Sequence, residues 1–347
     1  MAPLDSSPKA NAYRMTATLK NLYYKLSPAP STPSTAPSSP SPSAFSKART
    51  TSALFPTTDA AVDGDDCLHD CASCTIKYPS KFTIDETEEL YGHVKGWSTH
   101  LIVATGKTDW VRDVADEKGS IMEAVEKGHV KPTNGKLMLS ASNMPVPDHA
   151  DHSTSVLLLP SFQLIDNVTA ENTPELITEF VNKGPTNTTP LAASISARAP
   201  SPSTLRARPC PHDYLILLCS QKTRDARCGQ SAPLLRREFE RHLRPLGLYR
   251  DLHDERPGGV GIYFISHVGG HKFSANVMVY RKASAIARAA QADGEVSDEA
   301  AQCIWLARIR PEDCENVVRY TVLQGKVVKP HSQLRGGFDR YKQVVSW

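Results

Sequence analysis

Four residues in the second half of the chain have the types and order of a metal ligand set. Cys219 is followed after eight intervening residues by Cys228, and after 38 more comes His267-Val-Gly-Gly-His271. The segment between the cysteines carries Lys222, Arg224 and Arg227. Positive charge beside a sulfur stabilises the thiolate, the form that binds metal. Glycine has no Cβ and permits positive φ, so Gly269-Gly270 suits a tight loop that turns both imidazoles toward one point. Two thiolates and two imidazoles satisfy a tetrahedral zinc ion. They also satisfy a [2Fe–2S] cluster in which a histidine pair replaces a cysteine pair on one iron. The local spacing is not that of a zinc finger, whose paired cysteines stand two to four residues apart.

A second group, Cys67-Leu-His-Asp-Cys71-Ala-Ser-Cys74, contains a C-x2-C pair that reads as a redox dithiol or half a metal site. No second C-x2-C follows, which leaves His69 and Asp70 as the candidate further ligands. Cys303 lies beside an apolar run and reads as core filling. Cys314 falls in the first turn of a predicted helix, whose N-terminus lowers a thiol pKa. Cys210 has no evident role. Eight cysteines that cluster rather than pair, with no secretory h-region before them, point to reduced thiols in an intracellular protein. Thr105-Gly-Lys-Thr lacks the G-x-x-x-x-G-K spacing of a phosphate loop.

Several elements must position these residues. Tyr214–Cys219 is a continuous apolar run, as in a buried strand. Leu235, Phe239, Leu243 and Leu246 have helical spacing and predict a helix over Ala232–Leu246. Val260–Ile265 and Ala275–Tyr280 read as strands flanking the histidines. Another strand covers Ile304–Ile309, and a helix opens at Pro311 and ends at Gly325. This β-α-β-β-β-α order matches a thioredoxin-like core. Earlier in the chain, Leu101–Ala104, Lys136–Met138 and Ser155–Leu159 read as strands. Ser120 with Glu123 three residues on is a capping box, and Thr173-Pro opens a second helix. No repeat of 20–50 residues is visible, although the two α/β halves could share a fold.

The expectation is a two-domain α/β chain. Residues 1–65 are a disordered Ser/Pro-rich tail, 66–186 an N-terminal α/β domain, 187–210 a linker and 211–347 a thioredoxin-like domain. The tail carries Lys9, Arg14, Lys20, Lys25, Lys47 and Arg49 against Asp5 alone before residue 50, a pattern compatible with a mitochondrial leader. Forty basic against 37 acidic residues give a formal charge of +3, which supplies no bulk attraction to nucleic acid. The apolar runs are about a third of the ~20 residues needed to span a bilayer.

Cys-x8-Cys followed by His-x-Gly-Gly-His on such a domain resembles the thioredoxin-like ferredoxins. This sucrase/ferredoxin-like family includes fungal "altered inheritance of mitochondria" and "actin patches distal" proteins. Residues 106–125, the strand before His267, and the CIWLARIRPEDC and YTVLQGKVVKP segments resemble the same family. The resemblance implies a [2Fe–2S] cluster held by Cys219 and Cys228 on one iron and by His267 and His271 on the other. It implies one-electron transfer with a redox protein partner, an electron carrier rather than an enzyme, and a cluster supplied by the iron–sulfur assembly machinery. A ligating imidazole can also couple electron transfer to pH. Trp347 resembles the C-terminal aromatic tail by which some clients of the cytosolic assembly machinery are recognised, although Val345 departs from that pattern and cytosol competes with the leader. Lys326, Lys329, Arg335, Arg340 and Lys342 read as a docking face or a solvated surface. Two other readings stand beside this one: a thiol–disulfide oxidoreductase or redox sensor using Cys67/Cys71/Cys74 or Cys219/Cys228, and a zinc-stabilised interaction module.

Overall fold

Tyr214–Cys219 and Val260–Ile265, runs without a charged side chain, make two of the central strands, because a strand covered on both faces favours apolar side chains. The computed structural model describes residues 45–146, 153–191, 204–292, 294 and 296–347. Among them are β1 (Ser46–Lys47), β2 (Thr99–Ala104), β3 (Leu137–Ser142), β4 (Thr154–Leu159), β5 (Gln163–Val168) and β6 (Arg206–Pro209). The second half adds β7 (Tyr214–Cys219), β8 (Tyr249–Arg250), β9 (Val260–Ile265), β10 (Val277–Lys282), β11 (Ala300–Leu306), β12 (Leu334–Asp339) and β13 (Val344–Val345). All lie in one sheet, ordered β1-β13-β12-β11-β10-β7-β9-β3-β2-β4-β5-β6, with β8 against β9. The two stretches read from sequence as separate α/β domains thus share a sheet.

The halves repeat one topology. β2 pairs parallel with β3 and antiparallel with β4, which pairs antiparallel with β5. β7 pairs parallel with β9 and antiparallel with β10, which pairs antiparallel with β11. The crossovers hold α1 (Ile121–Lys127) and α2 (Ala226–Leu243). Helical turns follow the last strand of each set, at 173–181 and 311–322. The repeats meet where Ser142 of β3 pairs with Ile265 of β9. Beside that pair the Ser266 N–H donates to the Ala141 carbonyl at 2.8 Å, and the Phe264 N–H to Asn143 Oδ1 at 2.7 Å.

Both faces of the C-terminal strands are covered, as the period of two requires. Ile216, Leu218, Val277, Val279 and Ile304 pack against Leu235, Phe239 and Leu243 of α2. Leu215, Leu217, Met278 and Tyr280 face the opposite way, with Trp305 and Phe338. Among the described residues, no helix is long and apolar enough to cross a membrane.

Several expectations are corrected. The tail does not extend to residue 65: β1 pairs parallel with β13, Thr50 caps a helix over Thr51–Leu54, and Leu54 and Phe55 are fully buried. Apolar residues return after the Ser/Pro run, at Phe45, Ala48, Leu54 and Phe55, and find a place against the end of the chain. Residues 1–44, which carry most of the leader reading, lie outside the described residues, as does 192–203 of the linker. The linker's last residues form β6 on the edge of β5. The helix predicted to start at Ala232 starts at Ala226 and has Pro233 inside it, and Leu246 is exposed. Arg335 and Arg340 belong to no solvated face, since both are buried. Trp347 is no free anchor either. Its ring lies 4.5 Å from that of Trp97 and occupies the space over Gly96, where a Cβ would fall 2.1 Å from the indole.

Leu54→Ala should therefore destabilise the protein by about 3 kcal/mol, the cost of a cavity under a buried leucine. Urea unfolding checks this, and an unchanged midpoint would show that this segment is not part of the core.

Candidate metal centre

Cys219 ends β7 with its thiol buried, and the chain then turns through 220–225 into α2. Residues of the first repeat hold that turn. Ser220 Oγ donates to the Thr108 carbonyl at 2.9 Å, and Asp109 accepts from the Thr223 N–H and hydroxyl at 3.0 and 2.8 Å. Gln221 Nε2 donates to the Val111 carbonyl at 2.5 Å. Asp225 caps α2 by accepting from the Arg227 N–H, which places Cys228, fully buried, in the first helical turn. The apolar spacing that predicted this helix begins only at Leu235, so the first turns, polar and small, fall outside it. Pro233 costs one intrahelical bond. Gly229, one turn earlier, lets Lys222 lie so close that a Cβ would stand 2.5 Å from it.

The histidines come from the loop between β9 and β10. The His267 N–H donates to Gln221 Oε1 at 2.9 Å, so one glutamine fixes both ligand loops. Gly269 and Gly270 have φ of +97° and +70°, which brings His271 back beside His267. A Cβ on Gly270 would meet the Arg335 guanidinium at 2.6 Å. Arg335 crosses beneath the loop, donating to the Gly269 carbonyl at 2.9 Å and Asn276 Oδ1 at 2.8 Å.

The four side chains form a continuous series. Cys228 Sγ is 3.4 Å from Cys219 Sγ, Cys219 Sγ is 3.7 Å from His267 Nδ1, and His267 Nε2 is 3.3 Å from His271 Nδ1. The sulfur–sulfur separation excludes a disulfide, which requires about 2.05 Å. Cys219, Cys228 and His267 place their ligand atoms within 4.8 Å of one another. His271 is the exposed member, with 41% of its side chain accessible, and Asp225 stands 3.9 Å from its Nε2.

The thiols differ in electrostatics. The hydrogen bond from Cys219 stabilises a Cys228 thiolate, with His267 and Ser274 adding to it against the cost of burial, and Cys228 falls to about 5. Cys219 moves well above its ordinary value, because it keeps the shared proton and is buried. Burial lowers Arg335 to about 10, against the pull of Cys219, so it remains a cation near neutral pH.

Sequence reasoning missed Gln221, Asp225, Asn276 and Arg335, because only the fold brings them to the ligands. Cys303 is buried in the core as expected. Cys314 is corrected: burial raises it well above the ordinary thiol value and outweighs the helix terminus. His69 and Asp70 do not converge on the thiols of their own segment; His69 is exposed and Asp70 pairs with Lys329 at 2.6 Å.

The sucrase/ferredoxin-like family matches residues 90–336, a span containing all four donors. The chain belongs to that family. Actin patches distal protein 1 of Saccharomyces cerevisiae is 27% identical over 315 residues, 84% of this chain and 89% of that protein. Altered inheritance of mitochondria protein 32 of Clavispora lusitaniae is 32% identical over 118 residues, 34% of this chain and 33% of that protein. Its counterpart in Debaryomyces hansenii is 33% identical over 115 residues, 33% of each. No solved structure matches the chain. Cys67, Cys71 and Cys74 precede the sucrase/ferredoxin-like match.

If these four side chains hold a metal, Gln221→Ala should weaken its binding about 10-fold, the scale of losing a residue that orients a ligand. A chelator competition measures it. Unchanged affinity would mean that His267 is positioned by other contacts.

Proposed function

We propose that this sucrase/ferredoxin-like chain holds a [2Fe–2S] cluster on Cys219, Cys228, His267 and His271 and serves as a one-electron carrier rather than an enzyme. The observation that carries this reading is the convergence of two thiols and two imidazoles from three separate elements into one series of contacts. The residues fit the group in donor chemistry, two soft sulfurs and two neutral-capable nitrogens. When bound, such a cluster supplies a single reversible electron at a higher potential than an all-cysteine cluster.

The protein residues have definable parts in this. The first turn of α2 and Arg335 put positive charge near the thiolates. Gln221 ties the cysteine loop to the histidine loop. The exposed edge of His271 is where a partner redox protein would approach, whereas structural zinc sites are closed. Each half of the sheet is, on this reading, a thioredoxin-like unit, supported by the repeated strand pairing; the second half adds a helix, Ala283–Ala290, between β10 and β11. The family's description contains "ferredoxin". Partial relatives named for mitochondrial inheritance, together with the basic leader, favour a mitochondrial location, with cytosol as the alternative. Delivery of the cluster by the iron–sulfur assembly machinery belongs to the same proposal.

One observation favours a zinc ion as the second reading. Cys219, Cys228 and His267 place one ligand atom each within 4.8 Å of one another, a spread that a single zinc ion can draw together with a fourth donor from His271 or water.

Reductive titration tests the electron-carrier proposal. The chain should accept about one electron reversibly, and replacing Cys67, Cys71 and Cys74 by serine should leave that uptake unchanged, because they lie outside the ligand set. A couple needing about two electrons, as a dithiol does, and lost in the triple variant would overturn it.

A further inference from the structure

The last turn of α2 gathers a second donor set, about 20 Å along the helix from Cys228. Cys71 Sγ lies 3.8 Å from His242 Nε2. Among the described residues, Cys71, His242 and Glu315 place one ligand atom each within 4.8 Å of one another. Cys74 follows Cys71 through a turn closed by its N–H on the Cys71 carbonyl at 3.3 Å, and its thiol is near Glu238.

This arrangement is anchored. The Cys71 N–H donates to the Glu312 carbonyl at 3.0 Å, and Asn316 Nδ2 donates to the His69 carbonyl at 2.9 Å. Lys329 holds Asp70 at 2.6 Å. The loop bearing the thiols is thus tied to the helical segment bearing Glu315. These partners are distant in sequence, which is why His69 and Asp70 were the only ligands sequence could offer.

A positive group already stands at the convergence point. Arg241 Nη2 lies 3.4 Å from Cys71 Sγ, 3.0 Å from His242 Nε2 and 2.7 Å from Glu238 Oε2. One cationic nitrogen therefore touches a thiol, an imidazole and a carboxylate. With 39% of its side chain accessible, Arg241 has a route to solvent. Glu238 is buried and 3.7 Å from His242 Nε2, so its charge would remain beside whatever cation replaced the guanidinium.

We propose that Cys71, His242 and Glu315 form a second metal site for a zinc-like divalent cation, that Cys74 swings in as its fourth donor, and that Arg241 closes the site when the ion is absent. Mixed sulfur, nitrogen and carboxylate donors, including a C-x2-C pair, are the ligands of such ions. Bound there, the ion would cross-link the 67–74 loop, α2 and the 311–322 segment.

The test is zinc titration of the full chain, wild type and Cys219→Ser/Cys228→Ser, against a chromophoric chelator. About one zinc per chain should remain in the double variant. Cys71→Ser and His242→Gln should each weaken that binding at least ~10-fold, with circular dichroism confirming the fold. Glu315→Gln, at a more exposed position, should weaken it too, and Arg241→Ala should tighten it by removing the competing cation. That last gain is not what a merely structural cluster would give. Absence of zinc from the double variant, or binding indifferent to Cys71, His242, Glu315 and Arg241, would overturn the proposal.

Discussion

Cys219→Ser and Cys228→Ser should each empty the first centre, while His267→Cys and His271→Cys should leave metal bound. Serine keeps the size of the buried side chain but offers a hydroxyl, a poor ligand for soft metals. Both thiols are buried, so no water-exposed residue can stand in for them. Bound iron should fall from about two per chain to background in the serine variants, on the two-iron reading of the ligand set. Cysteine in place of either histidine adds a thiolate instead, which should lower the midpoint potential. His271 is the more tolerant position because its side chain is exposed. Metal analysis and visible spectra of the four variants check this. Full metal content with unchanged spectra in all of them would remove the ligand assignment.

Arg340→Leu should cost about 3–5 kcal/mol, the price of leaving a buried charge without its partner. Arg340 is buried and pairs with Glu299, also buried, at 2.5 Å. Its guanidinium also donates to the carbonyls of Thr189, Ala300 and Pro190 at 2.7, 3.0 and 3.2 Å. One side chain thereby ties the end of β12 to the start of β11 and to the 189–190 segment of the first half. Removing it strands the Glu299 carboxylate. Arg340→Leu/Glu299→Leu should recover part of the loss, since no unpaired charge then remains. Urea unfolding of both variants measures the difference. A loss below about 1 kcal/mol, the range of an exposed pair, would contradict a structural role for this bridge.

That these four side chains belong together was legible because chemistry is written in residue type and order: two cysteines, two histidines and a Gly-Gly between the latter. The strands that deliver them were legible as unbroken apolar runs. Arg335 and Arg340 were not, since an arginine destined for the interior has the same letter as one in solvent. The first six residues of α2, including Cys228, were not legible because the apolar spacing that marks the helix begins only at Leu235. The sequence left a common fold for the two halves as an open expectation, because the repeat lies in strand order and pairing direction, which impose no common residues on them. Leu54 and Phe55 were masked by the Ser/Pro run before them. The Cys71, His242 and Glu315 cluster joins positions 171 and 73 residues apart, a juxtaposition that only the packing of α2 against the 311–322 segment creates.

The most direct test of the first centre is the metal and sulfide content of the full chain, with its visible spectrum, after purification without oxygen. The account predicts a red-brown protein with about two irons and two sulfides per chain, both lost in Cys219→Ser/Cys228→Ser. A colourless protein holding about one zinc at these residues, with neither iron nor sulfide, would contradict it.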